Sequence, residues 1–313
     1  MSAPELSASR RRTALDAQFD RIRAREEAGL AKSRGGSRLF NKFRNNRLAM
    51  AGLIIFSVIL LASIFAPLLT PYDPNKIDLR AMLQPPSWEH WFGTDRTGRD
   101  LFARVLYGGR ISILVGLGSA VLAAIIGVLI GVFTGYVGGW LDALAMRVSE
   151  IFMSFPQIIL VLLLVSILGQ SLVNLMLIFT LTGWGGIYRM ARARMLSIRE
   201  EEYVLALRSF GLSRPLIAYK HMLPNALGPI MVNITLSTAA FILQEAGLSF
   251  LGLGVPLSMP TWGNILNVAQ DVRVLQNNWW IWLPVGTVIS LFVLSVNFIG
   301  DGLRDATDPS QQG

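Results

Sequence analysis

The chain has 313 residues, of which 52% are hydrophobic and only 15% are charged, and its formal net charge at pH 7 is +8. Soluble domains usually carry about 25% charged residues, so this composition excludes an ordinary soluble domain and a disordered chain, and it indicates an integral membrane protein. The absence of cysteine excludes disulfides, thiolate metal ligands and a cysteine nucleophile.

The N-terminal arm, residues 1–47, concentrates positive charge. It holds twelve Lys and Arg residues against five Asp and Glu residues. Because the basic residues are not interleaved with aromatic ones, no nucleic-acid binding is expected. We predict a cytoplasmic arm that contacts anionic lipid. The first apolar run begins only at Leu48 and is too long for a signal-peptide core, so no cleavable signal peptide is expected.

Six apolar segments are candidate membrane spans, because about 20 apolar residues cross a hydrocarbon core of about 30 Å. Between Glu150 and Arg189 the chain has 38 uncharged residues, too many for one helix, and we predict that they fold back at the polar break 169–171. The predicted spans are Leu48–Leu69, Ile111–Val137, Ile151–Leu168, Leu172–Tyr188, residues 228–251 and residues 282–299.

An even number of spans places both ends of the chain on one side, and Lys and Arg residues favour the cytoplasmic side. With the N-terminus inside, the inner segments hold 21 Lys and Arg residues and the outer segments hold seven. The sequence therefore predicts an all-α integral membrane fold with six spans and both termini in the cytoplasm. Its parts are the arm 1–47, a transmembrane domain 48–300 with an outer loop 70–110 and a cytoplasmic loop 189–227, and a tail 301–313.

The second predicted span carries small residues at every fourth position, which lets another helix backbone approach closely. The members of this stripe are Ser119, Ala123, Gly127, Gly131, Gly135 and Gly139. We predict tight helix packing along the stripe. The spacing leaves open whether the packing helix belongs to this chain or to another subunit.

Two short helices are predicted in the cytoplasmic loop. Ser197 and Glu200 have the spacing of a capping box, which would begin the first helix. Gly211 is predicted to end that helix in the left-handed conformation. A second helix would begin at Ser213 and would be closed by Pro224, because proline interrupts helical hydrogen bonding.

The first of these helices has an apolar face, formed by Tyr203, Val204, Leu207 and Phe210. We predict that the helix pair is exposed to the cytoplasm and binds a partner protein through this face. The alternative is that the face lies on the membrane surface as an interfacial helix. The spacing of the apolar residues does not distinguish the two.

Sequence signatures of catalysis are missing from the chain. It contains no phosphate loop of the form G-x-x-x-x-G-K-[ST] and no H-E-x-x-H pair, and its two histidines, His90 and His221, fall in different predicted loops. We therefore predict a protein that is not an enzyme and binds neither a metal nor a cofactor.

Glu245 is the only acidic or basic residue inside a predicted span. An intramembrane carboxylate is costly, by about 2.5 to 3.5 kcal/mol at a helix centre, so it normally faces a cavity or a partner. This residue lies about 26 Å along the fifth span from its inner end. Two roles stay open: a hydrogen-bonded residue near the outer interface, or a residue that lines the outer mouth of a translocation pathway.

Six short motifs resemble those of the inner-membrane permease subunits of ABC importers, in the branch that takes up dipeptides, oligopeptides and, in some members, nickel. They are Phe92–Asp95, Gly98–Leu101, Gly108–Ser112, Gly135–Gly139, Ser249–Gly254 and Gly300–Asp305. The similarity extends from about Asn41 to Pro309 and is nearest to the oligopeptide permease members.

The cytoplasmic loop resembles the signature of the same family. Ala206, Gly211, Leu223 and Pro224 stand at matching positions, Leu205, Leu207 and His221 replace its Glu, second Ala and Ile, and Glu202–Val204 resembles a variant in which the acid precedes the helix. The resemblance implies that this loop contacts an ATPase. The residues then expected at that contact are Glu202, Tyr203, Ala206, Leu207, Phe210, Gly211, His221, Leu223 and Pro224.

The resemblance also implies a type I importer fold in which this chain is one half of a permease pair. The implied partners are a second homologous permease subunit, two cytoplasmic ATPase subunits that bind ATP and Mg²⁺, an extracytoplasmic substrate-binding protein and membrane lipid. The implied substrate is a peptide, with nickel or glutathione as alternatives. A secondary transporter or channel is the competing class, although the chain shows no internal repeat and only one membrane carboxylate.

Overall fold

The computed structural model describes residues 35–307, with side chains from Phe40 onward, so most of the predicted arm and the end of the tail lie outside it. The regular secondary structure of these residues is helical, apart from one isolated bridge between Thr94 and Asp100. The main helices are α1 Gly35–Asn45, α2 Arg47–Ile64, α3 Leu101–Val137, α4 Gly139–Met153, α5 Gln157–Leu168, α6 Leu172–Ile198, α7 Glu202–Ser209, α8 Leu223–Phe250, α9 Trp262–Leu266, α10 Val272–Asn277 and α11 Trp279–Thr307.

Short helical turns connect several of these helices. They are Ala66–Leu69, Leu79–Ala81, Arg214–Leu216, the π-helical turn Ile217–Met222 and Asn267–Gln270. The turn at 214–216, the π turn and α8 follow one another without a break, so Arg214–Phe250 is one continuous helix of 37 residues.

Four helices of the described chain are long and apolar enough to cross a membrane: α2, α3, the continuous helix Arg214–Phe250 and α11. The bent pair α4 and α5 raises the count to five if it is taken as one span. The all-α membrane architecture is thus confirmed at this level. The predicted fourth span lies in α6, whose C-terminal part carries Arg189, Arg192 and Arg194, and the count of six spans stays a prediction.

The predicted third span, Ile151–Leu168, is wrong as a single helix. α4 ends at Met153, α5 begins at Gln157, and the two helix axes meet at 86°. Pro156 accounts for the break, because it has no amide hydrogen and disfavours the helical conformation in the residue before it. With 12 residues, α5 is only about 18 Å long, shorter than the hydrocarbon core.

The fold-back predicted at residues 169–171 is confirmed. α5 ends at Leu168 and α6 begins at Leu172. Gly169 has a φ of +79°, a backbone conformation that favours glycine and turns the chain away from the axis of α5.

α3 begins ten residues before the predicted start of the second span, so the last part of the segment 70–110 is helical. Asp100 caps the helix, and its Oδ1 accepts a hydrogen bond of 2.7 Å from the amide of Ala103. The second span was predicted as a run without charged residues. Because Arg104 and Arg110 lie in the first three turns of α3, that prediction began too late in the chain.

The small-residue stripe of α3 packs against α6 of the same chain. A Cβ atom added at Gly127, Gly131 or Gly135 would lie 2.8, 2.6 and 2.9 Å, respectively, from backbone carbonyl oxygens of α6. The carbonyls belong, in the same order, to Trp184, Tyr188 and Arg192. Real Cβ atoms do not approach so closely, so only glycine allows this contact.

Gly139 does not take part in this packing, and the prediction for it is wrong. α3 ends at Val137, Gly138 has a φ of +70°, and Gly139 already belongs to α4. No described atom lies within 4 Å of a Cβ placed on Gly139. The four-residue spacing persists in the sequence, but the helix that it requires has ended.

Residues 70–100 and 252–278, which the predicted topology places outside the membrane, together form what we call the outer cap. Asp95 organises the first part: it accepts hydrogen bonds of 2.8 Å from the amide and the hydroxyl of Thr97 and of 2.7 Å from Nε of Arg99. Burial acts to raise the pKa of Asp95, but Arg99 and the bonds from Thr97 outweigh it, and the pKa is lowered. An ion pair between Arg96 and Asp271 joins the two parts of the cap.

Candidate functional site

Residues 198–223, which the predicted topology places on the cytoplasmic side, form what we call the inner helical segment, and this segment does not begin as the sequence suggested. Ser197 lies in the last turn of α6, and α7 begins only at Glu202, so the predicted capping box is wrong. Met195 and Ile198 are buried in the same apolar cluster as Val204, and this burial extends α6 through Ser197. A tertiary contact therefore overrides the local capping signal.

The end of α7 is as predicted. Gly211 has a φ of +77°. Its amide donates to the carbonyl of Arg208 at 3.0 Å, and the amide of Leu212 donates to the carbonyl of Leu207 at 3.4 Å. This pair of bonds is the Schellman arrangement, in which glycine at the turn satisfies the last free carbonyls of a helix.

The apolar face of α7 points mostly into the protein. Val204 is fully buried against Ile217 and Met222, while Tyr203 and Leu207 are partly buried against the same cluster. Of the four residues predicted to face the cytoplasm, only Phe210 is exposed, by 80%. Periodicity identified an apolar face correctly but could not show that the following helix covers it.

The surface that remains open on the segment is different from the predicted one. Phe210 is joined there by Leu205 and Leu216, which are 45% and 41% exposed. Glu202, Ala206, Gly211 and Pro224 are also exposed, whereas His221 and Leu223 are partly buried. The structure thus brings these predicted residues into one segment, with only some of them available to a partner.

Pro224 does not close the second helix, contrary to prediction. The amide of Leu223 bonds to the carbonyl of Ala218, five residues back, in the π turn that precedes the proline. Pro224, which has no amide hydrogen, then stands in the first turn of α8, where a helix tolerates it. The inner helical segment therefore runs into α8 without a loop.

Two hydrogen bonds fasten this segment to its neighbours. The hydroxyl of Tyr219 donates to the carbonyl of Leu129 in α3 at 2.7 Å, and Nδ2 of Asn225 donates to the hydroxyl of Tyr203 at 2.9 Å. Near the same end, Arg192 of α6 forms a bidentate ion pair with Asp142 of α4, at 2.5 and 2.6 Å. The inner ends of these helices are therefore held to one another.

Glu245 is completely enclosed by protein. Its Oε2 accepts a 2.9 Å hydrogen bond from Ser112 of α3, and its Oε1 accepts a 2.8 Å bond from Ser249 of α8. Ser112 in turn accepts a 3.1 Å bond from the amide of Trp262 in α9. The carboxyl group thus links α3, α8 and the outer cap, and its predicted place in a translocation pathway is not supported by this conformation.

A cavity of about 300 Å³ lies between α4, α5, α6 and α8, where sequence reasoning had placed no site. Gln157, Thr182, Asn233 and Ser237 line it together with aromatic side chains. Each of these polar residues is uncharged, so a search for charges passed over them. The four-residue interval between Asn233 and Ser237, on one face of a helix, was the available signal.

Within residues 35–307, an all-helical arrangement with four or five helices long and apolar enough to cross a membrane is typical of polytopic membrane proteins. Its family is defined more closely by sequence. Residues 127–312 match the family described as binding-protein-dependent transport system inner membrane component, and residues 36–86 match the N-terminal TM domain of oligopeptide transport permease C. The chain belongs to this family of inner-membrane transport components.

Individual relatives agree with this assignment over most of their length. A Brucella suis protein is 46% identical over 273 residues, which are 87% of this chain and 90% of the relative. The dipeptide transport system permease protein DppC of Alkalihalophilus pseudofirmus is 42% identical over 273 residues, 87% of this chain and 89% of the relative. The oligopeptide transport system permease protein OppC of Bacillus subtilis is 41% identical over 268 residues, 86% and 87%.

Proposed function

We propose that this chain is a permease subunit of an ATP-driven importer that carries peptides across the bacterial inner membrane. Family membership supports the class of transporter, and the oligopeptide and dipeptide permeases among the relatives support a peptide as the substrate. A second permease subunit, two ATPase subunits and an extracytoplasmic binding protein complete the transporter. ATP and Mg²⁺ belong to the ATPase subunits, and this chain contributes no catalytic group.

The topology that fits this role has six spans, with both termini in the cytoplasm. α6 supplies the additional span, and the bent pair α4 and α5 supplies a short one. The basic residues of α6 lie at its C-terminal end, which adjoins the inner helical segment, and this supports placing that end inside. A reporter fused after Gly313 is expected in the cytoplasm, and one inserted near Lys76 is expected outside. A periplasmic C-terminus would contradict the topology.

The contact with the ATPase is assigned to the exposed side of the inner helical segment. The observation that carries this assignment is Phe210, a large aromatic side chain that is 80% exposed at the end of a helix held rigidly on its other side. Leu205 and Leu216 extend the apolar surface, and Glu202 adds a charge at its edge. An aromatic anchor surrounded by smaller side chains is typical of the energetic centre of a protein interface.

The same surface suggests how ATP hydrolysis moves the spans. Closure of the ATPase pair would displace the inner helical segment, and the displacement would pass directly into α8 because no loop separates them. α8 would tilt against α3 and exchange inward for outward access. This requires the ATPase to contact the two states of the permease differently, since equal affinity would shift nothing.

Phe210→Asp tests the assigned contact. Placing an unpaired charge at a desolvated interface costs several kcal/mol, so we expect the variant to retain its partner permease but to lose ATPase co-purification at least tenfold. Val272→Asp is the matched control, because Val272 is 61% exposed on the outer cap and receives the same charge. Normal ATPase binding and uptake in Phe210→Asp would mean that the segment instead lies on the membrane surface.

A reconstitution experiment separates the proposal from its competitors. The complete complex is expected to take up labelled peptide only with ATP and its binding protein, and this chain alone is expected to be inert. Peptide flux driven by an ion gradient through the isolated chain would indicate a secondary transporter or channel. Competition by nickel chelates or glutathione that exceeds competition by peptides would transfer the substrate assignment to those ligands.

A further inference from the structure

Four uncharged polar side chains, Gln157, Thr182, Asn233 and Ser237, line the cavity between α4, α5, α6 and α8, and a fifth, Gln244, bonds to Gln157. Nε2 of Gln244 donates to Oε1 of Gln157 at 3.2 Å, and Nε2 of Gln157 donates to the hydroxyl of Thr182 at 3.4 Å. About two and three turns nearer the start of α8 than Gln244, the hydroxyl of Ser237 donates to Oδ1 of Asn233 at 3.5 Å. Asn233, Ser237 and Gln244 share one face of α8, because they are four and seven residues apart.

The amide side chains of this group leave most of their hydrogen-bonding capacity unused, whereas the hydroxyl of Thr182 already donates to the carbonyl of Ile178 at 2.9 Å. A Gln or Asn side chain offers two donor hydrogens and two acceptor lone pairs, and the side chains of the group make only three long bonds to one another. Oε1 of Gln244 is buried and has no hydrogen-bond partner within residues 35–307. Such polar groups in the apolar part of a membrane protein usually face water, a substrate or a partner.

Open space lies next to four of these side chains, Gln157, Thr182, Asn233 and Ser237. The cavity measures about 300 Å³, its walls include Phe152, Phe155 and Phe241, and a Cβ added at Gly186 would meet no described atom within 4 Å. Asn233 also lines a second cavity of about 410 Å³ nearer the inner end of the helices. The two cavities therefore adjoin along α8.

The two cavities differ in the charge of the residues that line them. The cavity of about 300 Å³ has no acidic or basic lining residue, whereas the second cavity is lined by Arg194 and Arg304. Amide and hydroxyl groups can both donate to a peptide carbonyl and accept from a peptide amide, and they do so whatever the peptide's side chains. Aromatic walls accommodate apolar side chains without selecting one.

We infer that Asn233, Ser237, Gln244, Gln157 and Thr182 form the wall along which this chain contacts the backbone of a translocating peptide. The inference rests on the proposed function. It assigns the translocation pathway to these side chains and not to Glu245, whose two oxygens already accept hydrogen bonds from serines. The wall recognises the peptide unit itself, and the arginines of the inner cavity attract the peptide's terminal carboxylate. Selection among peptide sequences then belongs to the binding protein.

The chain's lack of cysteine permits a direct test. Ser237→Cys is compared with Val58→Cys, a control in the exposed apolar surface of α2, within the complete complex in vesicles, using a charged thiol reagent and mass spectrometry of this chain. We expect Ser237→Cys to react at least tenfold faster than the control, and excess transported peptide to slow it severalfold. Equal reaction rates would overturn the inference, and so would fast labelling that peptide does not slow.

A second test measures transport. Gln157→Leu keeps the side chain's size but removes its hydrogen bonds, and we expect peptide uptake to fall about fivefold, the usual effect of one lost bond, while ATPase subunits remain bound. Gln157→Asn retains the amide and should recover much of the uptake. Full uptake by Gln157→Leu would count against the wall. Failure of the wild-type complex to import peptide would instead contradict the proposed function.

Discussion

The outer cap and the inner helical segment differ in how far their side chains are paired within this chain. In the outer cap, polar side chains bond to one another: Asp95 binds Thr97 and Arg99, and His90 contacts Asp100 at 2.9 Å. At the inner end, the segment 198–223 buries one apolar face and leaves Phe210 and its neighbours uncovered. The polar bonds of the cap lie within this chain, whereas the inner segment leaves a large apolar side chain exposed, and this is the surface that we propose for a partner protein.

The most direct test of this difference is the same substitution, glycine to valine, in the outer cap and in the inner helical segment. Gly98 and Gly211 have φ values of +75° and +77°. A side chain on Gly98 would overlap the carbonyl of Asp78, whereas one on Gly211 would meet no described atom within 4 Å. We expect Gly98→Val to cost more than about 3 kcal/mol and Gly211→Val about 1 to 2 kcal/mol, the cost of backbone strain alone.

Thermal unfolding of the purified complexes measures this difference. Gly98→Val should lower the yield and the melting temperature markedly, and Gly211→Val should lower the melting temperature little while abolishing uptake. Equal melting temperatures for the two variants would show that the outer cap and the inner helical segment tolerate a side chain at these glycines equally well.

The next largest effect is expected inside the outer cap. Asp95 and Arg104 are each buried to 3% side-chain exposure, with Arg104 Nη1 at 3.9 Å from the carboxylate. Asp95→Asn leaves the guanidinium without its counter-charge, and removal of one partner from a buried pair costs about 3 kcal/mol or more. Glu150→Gln, in the exposed pair with Arg147, should change stability by less than about 1 kcal/mol. Chemical unfolding of both variants gives the comparison.

The lowered pKa of Asp95 makes the contribution of this network pH-dependent. The group titrates at lower pH in the folded protein than in the unfolded chain, so its stabilisation is fully present above an unfolded pKa of about 3.9 and is lost as pH falls through the folded pKa. The difference in melting temperature between the wild type and Asp95→Asn should therefore be constant from pH 8 to 5 and shrink below about pH 4. A difference that shrinks between pH 8 and 5 would contradict this assignment.

The smallest effects separate the two faces of α7. Val204→Ala removes two buried methyl groups and should lower stability by about 1 to 2 kcal/mol, with ATPase binding otherwise retained. Phe210→Ala removes an exposed ring and should change the stability of the isolated chain by less than about 0.5 kcal/mol while weakening ATPase binding. Melting temperature and ATPase co-purification are measured on both variants. If Phe210 were the covered side chain and Val204 the exposed one, the effects of the two variants would be exchanged.

Some of this structure could be predicted from local signals. Gly169 and Gly211 stand where the backbone needs a positive φ, and each ends a helix as expected. The stripe from Gly127 to Gly135 predicted close packing, and only the identity of α6 as its partner required the fold. These features depend on a few residues and elementary backbone geometry, so a single sequence carries them.

Other features depend on contacts between distant residues. Ser197 has a good capping spacing, but burial of Met195 and Ile198 keeps it inside α6. The helix after Gly211 covers Val204, which no periodicity could reveal. Gln157 and Ser237 scarcely alter the hydropathy of their segments, so their meeting across a cavity became visible only when α5 and α8 were placed together.

The unbroken helix from Arg214 to Phe250 has a mechanical consequence. Glu245 pins this rod to α3 through Ser112 close to one of its ends, at about 46 Å from Arg214 and about 8 Å from Phe250. If the rod pivots at that bond, it is a lever with arms in a ratio of about six to one. A 5° swing would then carry the inner tip through about 4 Å and the outer tip through less than 1 Å, so a large stroke of the ATPase would arrive at the outer face as a short movement of about sixfold greater force.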